Sequence, residues 1–290
     1  MKIHNLTLSF IILLCGILLP RDFDQRDIPI HENGRIKPLD TFVRNQLLTI
    51  YGKRSIKSIT LPKEIASEEL SAIDWFFDNE EMGVILEDDC LPSQSFFWFC
   101  EELLERYKDD MRVWHISGDN FQDGIHRGDG DYYFSKYNHI WGWASWTNRW
   151  GSYDVKMESY NLFETSNQLL NVFNNTKSQK YWADVFFKVS DGQIDTWDYQ
   201  WTYTVLSNSG LSVLPNKNLI SNIGFGPDAT HTMDLESQHS KLERKDMSFP
   251  IKHPQFVIQN CIADDFTESK MFVKRNILFR VLSRIKRVFR

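Results

Sequence analysis

The chain has 290 residues, 42% of them apolar, enough to bury a sizeable core in one large domain or two small ones, which excludes a disordered tail protein and a stapled mini-domain. Its net charge of −6 conceals a C-terminal segment, residues 270–290, with eight Lys/Arg and no acid, so the rest of the chain carries −14. An acidic body argues against nucleic acid as a partner, because phosphate binding needs a basic face. The cysteines, Cys15, Cys90, Cys100 and Cys261, form no C-x-x-C pair, which signals neither zinc nor a disulfide framework and makes a reducing compartment the default. All ten tryptophans fall between Trp75 and Trp201.

Leu6 to Leu19 is a mostly apolar run of about 14 residues closed by Pro20, shorter than the roughly 20 that span a bilayer. Residues 1–20 therefore read as a signal-like or anchor segment. Residues 21–70 form a second unit, in which Leu39, Val43, Leu47 and Ile50, with Gly52 as a stop, predict an amphipathic helix from Pro38 to Tyr51. The string Gly34-Arg-Ile-Lys-Pro-Leu-Asp-Thr41 resembles the start of the large cytochrome c biogenesis proteins, a likeness covering roughly residues 20–75. In that family the haem work belongs to later membrane spans. No later run of about 18 apolar residues is present here, so that activity is not carried over and His31 reads as a lone surface histidine.

From Ser71 the character changes. Leu70, Ile73 and Phe77 share a helical face, and Gly83-Val-Ile-Leu86 reads as a buried strand running into Glu87-Asp88-Asp89. Carboxylates at a strand's end suit a hard divalent cation, since oxygen ligands fixed by a sheet leave places open for phosphate oxygens; an acidic turn that is simply solvated is the alternative. Ser93 or Ser95 is expected to cap a helix carrying Phe96, Phe99, Cys100, Leu103 and Tyr107, with a strand over Arg112–Ser117 next. This succession is α/β, with a site at a strand's carboxyl end. Gly118 to Gly130 reads as a mobile polar loop able to close on a substrate.

The tryptophans of His139–Trp146 are either core or, for Trp141 and Trp143, faces on which a sugar ring stacks; Gly142 between them allows close backbone approach. Asp195 is the expected N-cap of a helix ending at Gly210. Asp198 in its first turn is either a second capping acid or a general base. After a strand over Leu211–Leu214, Asn218 to Thr232 reads as a loop pivoting at Gly224 and Gly226 over a bound donor, with His231 touching a phosphate or a metal. Residues 269–290 carry Val273, Ile277, Val281 and Ile285 among the basic residues, a pattern for a membrane-surface helix or for one packed on the body.

From about Ser71 to Asp265 the strings Ile85-Leu-Glu-Asp-Asp-Cys-Leu-Pro-Ser93, His115-Ile-Ser-Gly118, Trp141-Gly-Trp-Ala144, Thr196-Trp-Asp-Tyr-Gln-Trp201, Asn222-Ile-Gly-Phe-Gly226 and Ala229-Thr-His-Thr232 resemble the bacterial hemolysin-like (HlpA-type) nucleotide-diphospho-sugar transferases. Their order is also similar, more distantly, to that of the GT-A enzyme N-acetylglucosaminyltransferase I. The resemblance implies a GT-A-like mixed sheet flanked by helices over residues 71–268. It implies Mn2+ or Mg2+ bound by Asp89, Asp88 at the donor's ribose, Glu87 near the donor sugar and Asp198 as base. The implied substrates are a nucleotide-diphospho-sugar and a glycan or lipid-linked hydroxyl acceptor, met at the cytoplasmic face of a membrane. GT-A enzymes hold the nucleotide largely through strands ahead of the acidic motif, and here the biogenesis-like segment stands there. The expectation is a fusion near Ser71–Trp75 whose transferase part lacks its nucleotide-binding strands. An inactive remnant that binds metal or sugar, and a membrane-anchored cytochrome c assembly factor, are the other two classes.

Overall fold

The computed structural model describes residues 29–32, 35–38, 69–87, 89–222 and 242–272. The expected helix over Pro38–Tyr51, the run Leu6–Leu19 and the tail beyond Phe272 lie outside them. In the biogenesis-like segment, Pro29–Glu32 (β1) and Arg35–Pro38 (β2) pair antiparallel as a hairpin. The sequence pattern predicts no strand there.

The body is a mixed α/β structure. Its sheet has five strands in the order β3-β7-β5-β8-β6: Met82–Ile85 (β3), Trp143–Trp146 (β7), Val113–Ser117 (β5), Leu211–Pro215 (β8) and Tyr132–Ser135 (β6). β5 and β8 run parallel, and the antiparallel β7 lies between β3 and β5, so β3, β5 and β8 share a direction and their carboxyl ends meet at one edge. Among the described residues β3 is the outermost strand on its side, paired only with β7. A two-stranded pair, Cys90–Pro92 (β4) with Ile220–Asn222 (β9), closes over that edge.

Alternation along the strands sends side chains to two helical layers. On one face Val84, Ile116, Ala144 and Val213 meet Phe96, Phe99, Cys100 and Leu103 of Gln94–Tyr107 (α2). On the other, Ile85, Trp114 and Trp143 meet Ile73, Phe76 and Phe77 of Glu69–Asn79 (α1), Trp150 of Thr147–Trp150 (α3), and Trp197 and Trp201 at Asp198–Ser207 (α7). Five of the ten tryptophans thus fill one layer. A third cluster joins Tyr160–Thr165 (α4), Leu169–Val172 (α5) and Thr176–Ser190 (α6) to the far side of α7.

Several local expectations are corrected. Ser93 occupies the N-cap of α2, but its hydroxyl makes no cap. It bonds instead to the Ser95 hydroxyl at 2.9 Å, and Ser95 in turn accepts from the Met247 amide at 2.8 Å, tying the helix start to the segment after residue 242. Asp195 is not the N-cap of α7, which starts at Asp198 behind Trp197.

The first part of the Gly118 to Gly130 loop is packed into the body, while residues 123–126 are exposed. Asp119, Asn120, Phe121 and Gln122 are buried; the Asn120 amide hydrogen-bonds Asn218 at 3.0 Å, and the Gln122 side chain reaches Thr267 at 2.8 Å. A polar loop that finds distant partners is fixed by them.

Arg149 is fully buried. Its guanidinium donates to the carbonyls of Tyr107, Lys108, Asp110 and Val113 at 2.8–3.2 Å and lies 4.5 Å from the Trp146 ring. It caps the carboxyl end of α2 with a cation where the helix leaves carbonyls unpaired.

The chain leaves the body through Cys261–Thr267 (α8) and a π-helical turn, Glu268–Phe272. Glu268 pairs with Lys136 at 2.8 Å and accepts from Ser178, all three buried, and from the half-buried Asn175. The packed body therefore runs from Glu69 to Phe272, a few residues beyond the expected 71–268. Among the described residues no helix is long and apolar enough to cross a membrane.

Candidate metal and catalytic site

The site is built where β3, β5 and β7 meet. Beyond Leu86 the chain turns at once, the Cys90 amide donating to the Glu87 carbonyl at 3.1 Å. That reversal sets the Glu87 and Asp89 side chains beside one another. One ligand atom each from Glu87, Asp89 and Cys90 lies within 4.8 Å of the others, the two carboxylates half-exposed and the cysteine buried. Asp88, between them, lies outside the described residues.

Two carboxylates at this separation suit a hard divalent cation. With no ion bound, burial, then the charges of Glu87 and Asp89, push the Cys90 thiol far above the usual range, and it donates to Asp89 at 3.5 Å. The two carboxylates supply the oxygen donors that Mg2+ or Mn2+ takes.

Asp119 is not singled out by the sequence, where it is one acid in a polar loop. In the fold it stands just past the carboxyl end of β5 and is 1% exposed. Its Oδ2 accepts from the Trp141 amide at 3.0 Å, while its Oδ1 is buried without a hydrogen-bond partner. Burial raises its pKa well above the usual carboxylate range, and the Glu87 charge raises it further. The charge of Asp119 in turn contributes to raising Cys90, so Asp119 and the Glu87–Asp89–Cys90 turn lie in electrostatic reach of one another. A buried acid with one oxygen left without a hydrogen-bond partner is costly unless a cation or a proton offsets it.

Glycine makes this convergence possible. At Gly142, with φ of 72°, a Cβ would lie 2.7 Å from Ile220 and 2.9 Å from Leu86. At Gly118 it would lie 2.4 Å from Ile220 and 2.8 Å from Phe96. Both bring strand ends against β9 beneath the acidic turn.

The two tryptophans flanking Gly142 part company. Trp141 is half-buried at the rim, held edge-on by Phe121 at 5.4 Å. Trp143 is fully buried, stacked on His115 at 5.2 Å and on Trp197 at 5.7 Å, so neither of its faces is open to a sugar and its expected place at a donor is corrected to core. His115 serves that core: its Nε2 donates to the His139 carbonyl at 2.9 Å, Trp201 donates to its Nδ1 at 3.2 Å, and burial lowers its pKa to about 4, leaving it neutral.

Asp198 opens α7 and accepts from the Thr196 hydroxyl. Because α7 runs back from Trp197 beside Trp143 to Gly210 beside Trp114, its first turn lies at the same sheet edge as Glu87 and Asp119. It is half-exposed among Tyr199 and Tyr181, whose hydroxyls are raised chiefly by burial and further by the Asp198 charge. Gly224, Gly226 and His231 lie outside the described residues; the segment that carries them leaves from Asn222, paired in register with Cys90. No protein-family model matches the chain, and no curated protein matches it.

Proposed function

We propose that this chain is a metal-dependent glycosyltransferase, moving a sugar from a nucleotide-diphospho-sugar to a hydroxyl acceptor, in line with the transferase-like strings along residues 71–265. The observation that carries the reading is the pair of carboxylates at the carboxyl edge, Glu87 and Asp89 with ligand atoms within 4.8 Å, together with the buried Asp119 just past β5, whose Oδ1 has no hydrogen-bond partner. Glu87 and Asp89 would hold Mn2+ or Mg2+, which when bound neutralises charge on a leaving diphosphate. Trp141 offers a ring at the rim for the sugar's apolar face. Asp119 fixes the Trp141 backbone, and Asp198 takes the proton from the acceptor hydroxyl as it attacks.

The test is a manganese titration against a panel of nucleotide sugars, reading donor hydrolysis and transfer. Metal-dependent turnover is expected with at least one donor; metal binding without turnover would identify an inactive remnant instead. Asp198→Asn should lower transfer by about 10²–10⁴-fold while leaving metal affinity unchanged by calorimetry. Retained transfer would return Asp198 to a structural role at the helix start.

A further inference from the structure

The geometry points to His253 as a pH-operated latch: neutral, it ties the 247–254 segment to α2 and β6 through one directed hydrogen-bond chain, and protonated, it lets that segment go. The latch uses none of the residues of the transferase reading and stands whether or not that reading does.

The bonds run in a single direction. Glu102 of α2, a carboxylate that only accepts, lies 3.0 Å from His253 Nε2, so the proton of the neutral ring sits on Nε2 and Nδ1 is an acceptor. The Tyr132 hydroxyl, 3.0 Å from Nδ1, donates to it. With that proton spent, Tyr132 accepts from the Tyr107 hydroxyl at 2.5 Å. Both tyrosines are buried, and the His253 ring packs edge-on against Tyr132 at 5.8 Å.

A second proton on the ring breaks this order. Nδ1 becomes a donor, the Tyr132 oxygen has to receive it, and one proton of the two buried hydroxyls is left with no acceptor in the chain. Facing the ring are Glu102 and Arg106 from α2, Tyr132 from β6 and Asp131 just ahead of it. Burial, then the Arg106 charge, hold the imidazole's pKa below its ordinary value against the opposing charges of Glu102 and Asp131.

What the latch holds is a strap between two parts of the fold. Met247 and Ile251 are buried in the core that α2 covers. The Met247 amide donates to the Ser95 hydroxyl at 2.8 Å, and the Lys252 amide to the Asp131 carboxylate at 2.7 Å. Just upstream, the Lys245 amide donates to the Asn218 carbonyl at 2.7 Å. The segment is thus tied both to the start of α2, which follows β4, and to the residues that lead into β9.

Amide exchange on the full chain, corrected for the intrinsic pH dependence of exchange, tests the latch at about pH 7.5 and about pH 5, either side of the ordinary histidine range. On acidification the Met247 and Lys252 amides should lose about tenfold in protection, the effect of one stranded buried hydroxyl, while Leu103 and Val213 stay protected. His253→Gln, whose amide can donate to Glu102 and accept from Tyr132 but takes up no proton, should keep both amides protected at either pH. No loss in the wild type, or an equal loss in His253→Gln, would overturn the inference. Nitrogen NMR of the wild-type ring needs no variant. It should place the proton on Nε2 at neutral pH, with a midpoint below about 6.5; a proton on Nδ1, or a midpoint above that value, would overturn the latch as well.

Discussion

Two buried carboxyl groups of this chain live under opposite regimes. Glu268, where the C-terminal turn docks, has an ammonium at 2.8 Å and donors from Asn175 and Ser178; burial works against its charge, but those partners outweigh it and hold its pKa below the ordinary value. Asp119, at the carboxyl edge, has one backbone amide and one empty-handed oxygen, and burial holds its pKa well above it. A charge satisfied on every side fastens two parts of a fold. A charge left short of partners among other acids costs stability and marks a place kept for something else.

Breaking a fully satisfied group should cost most. Arg149→Met keeps the packing on Trp146 but orphans the carbonyls at the end of α2, and at about 1–3 kcal/mol for each buried group left unpaired the loss should reach about 4 kcal/mol in chemical denaturation. Lys136→Met leaves Glu268 a buried carboxylate without its cation, held only by Asn175 and Ser178, and should cost about 3 kcal/mol, with the π-helical turn exchanging amides before the sheet does. Glu268 has a lowered pKa in the folded state, so its contribution is present above the unfolded pKa and lost as pH falls through the folded one. In Glu268→Gln that acid-side loss should disappear from a pH series of unfolding free energies.

The under-partnered site should respond in the other direction. Asp119→Asn keeps an acceptor for the Trp141 amide, turns an NH2 toward the acids and removes the buried charge, so stability at neutral pH should rise by about 1 kcal/mol. Because the folded pKa of Asp119 is raised, the wild type loses stability as pH climbs from the unfolded pKa to the folded one. The gap between variant and wild type should open across that window and close in acid. The same variant should bind Mn2+ about 10–100-fold more weakly. A variant no more stable than wild type at neutral pH would mean that Asp119 has a partner and that the comparison with Glu268 fails.

Much of this layout is legible in the sequence, and the reasons are local. The short apolar run into Glu87, the three- and four-residue spacing of α2 and the short strand at Leu211 are patterns that nearest neighbours along the chain dictate. Gly142 is legible too, since only glycine lets the backbone approach Leu86 and Ile220 so closely.

Chain order could not decide which polar and aromatic groups go inside. Asp119 and Asn120 look like loop residues until Asn218 and Trp141 arrive from elsewhere to bond them. Arg149 looks exposed until the turn from the end of α2 into β5 offers it four carbonyls. Trp143 looks as open to a ligand as Trp141 until strand pairing turns it inward onto His115.

The sequence by itself therefore determined the α/β succession, the acidic turn after a strand and the basic, apolar-striped terminus. Tertiary structure alone decided that Asp119 is buried past the end of β5 with its Oδ1 unpartnered and that Trp143 is core. Periodicity records which face of an element is apolar, whereas the burial of a charge depends on partners that only the folded chain brings within hydrogen-bond reach.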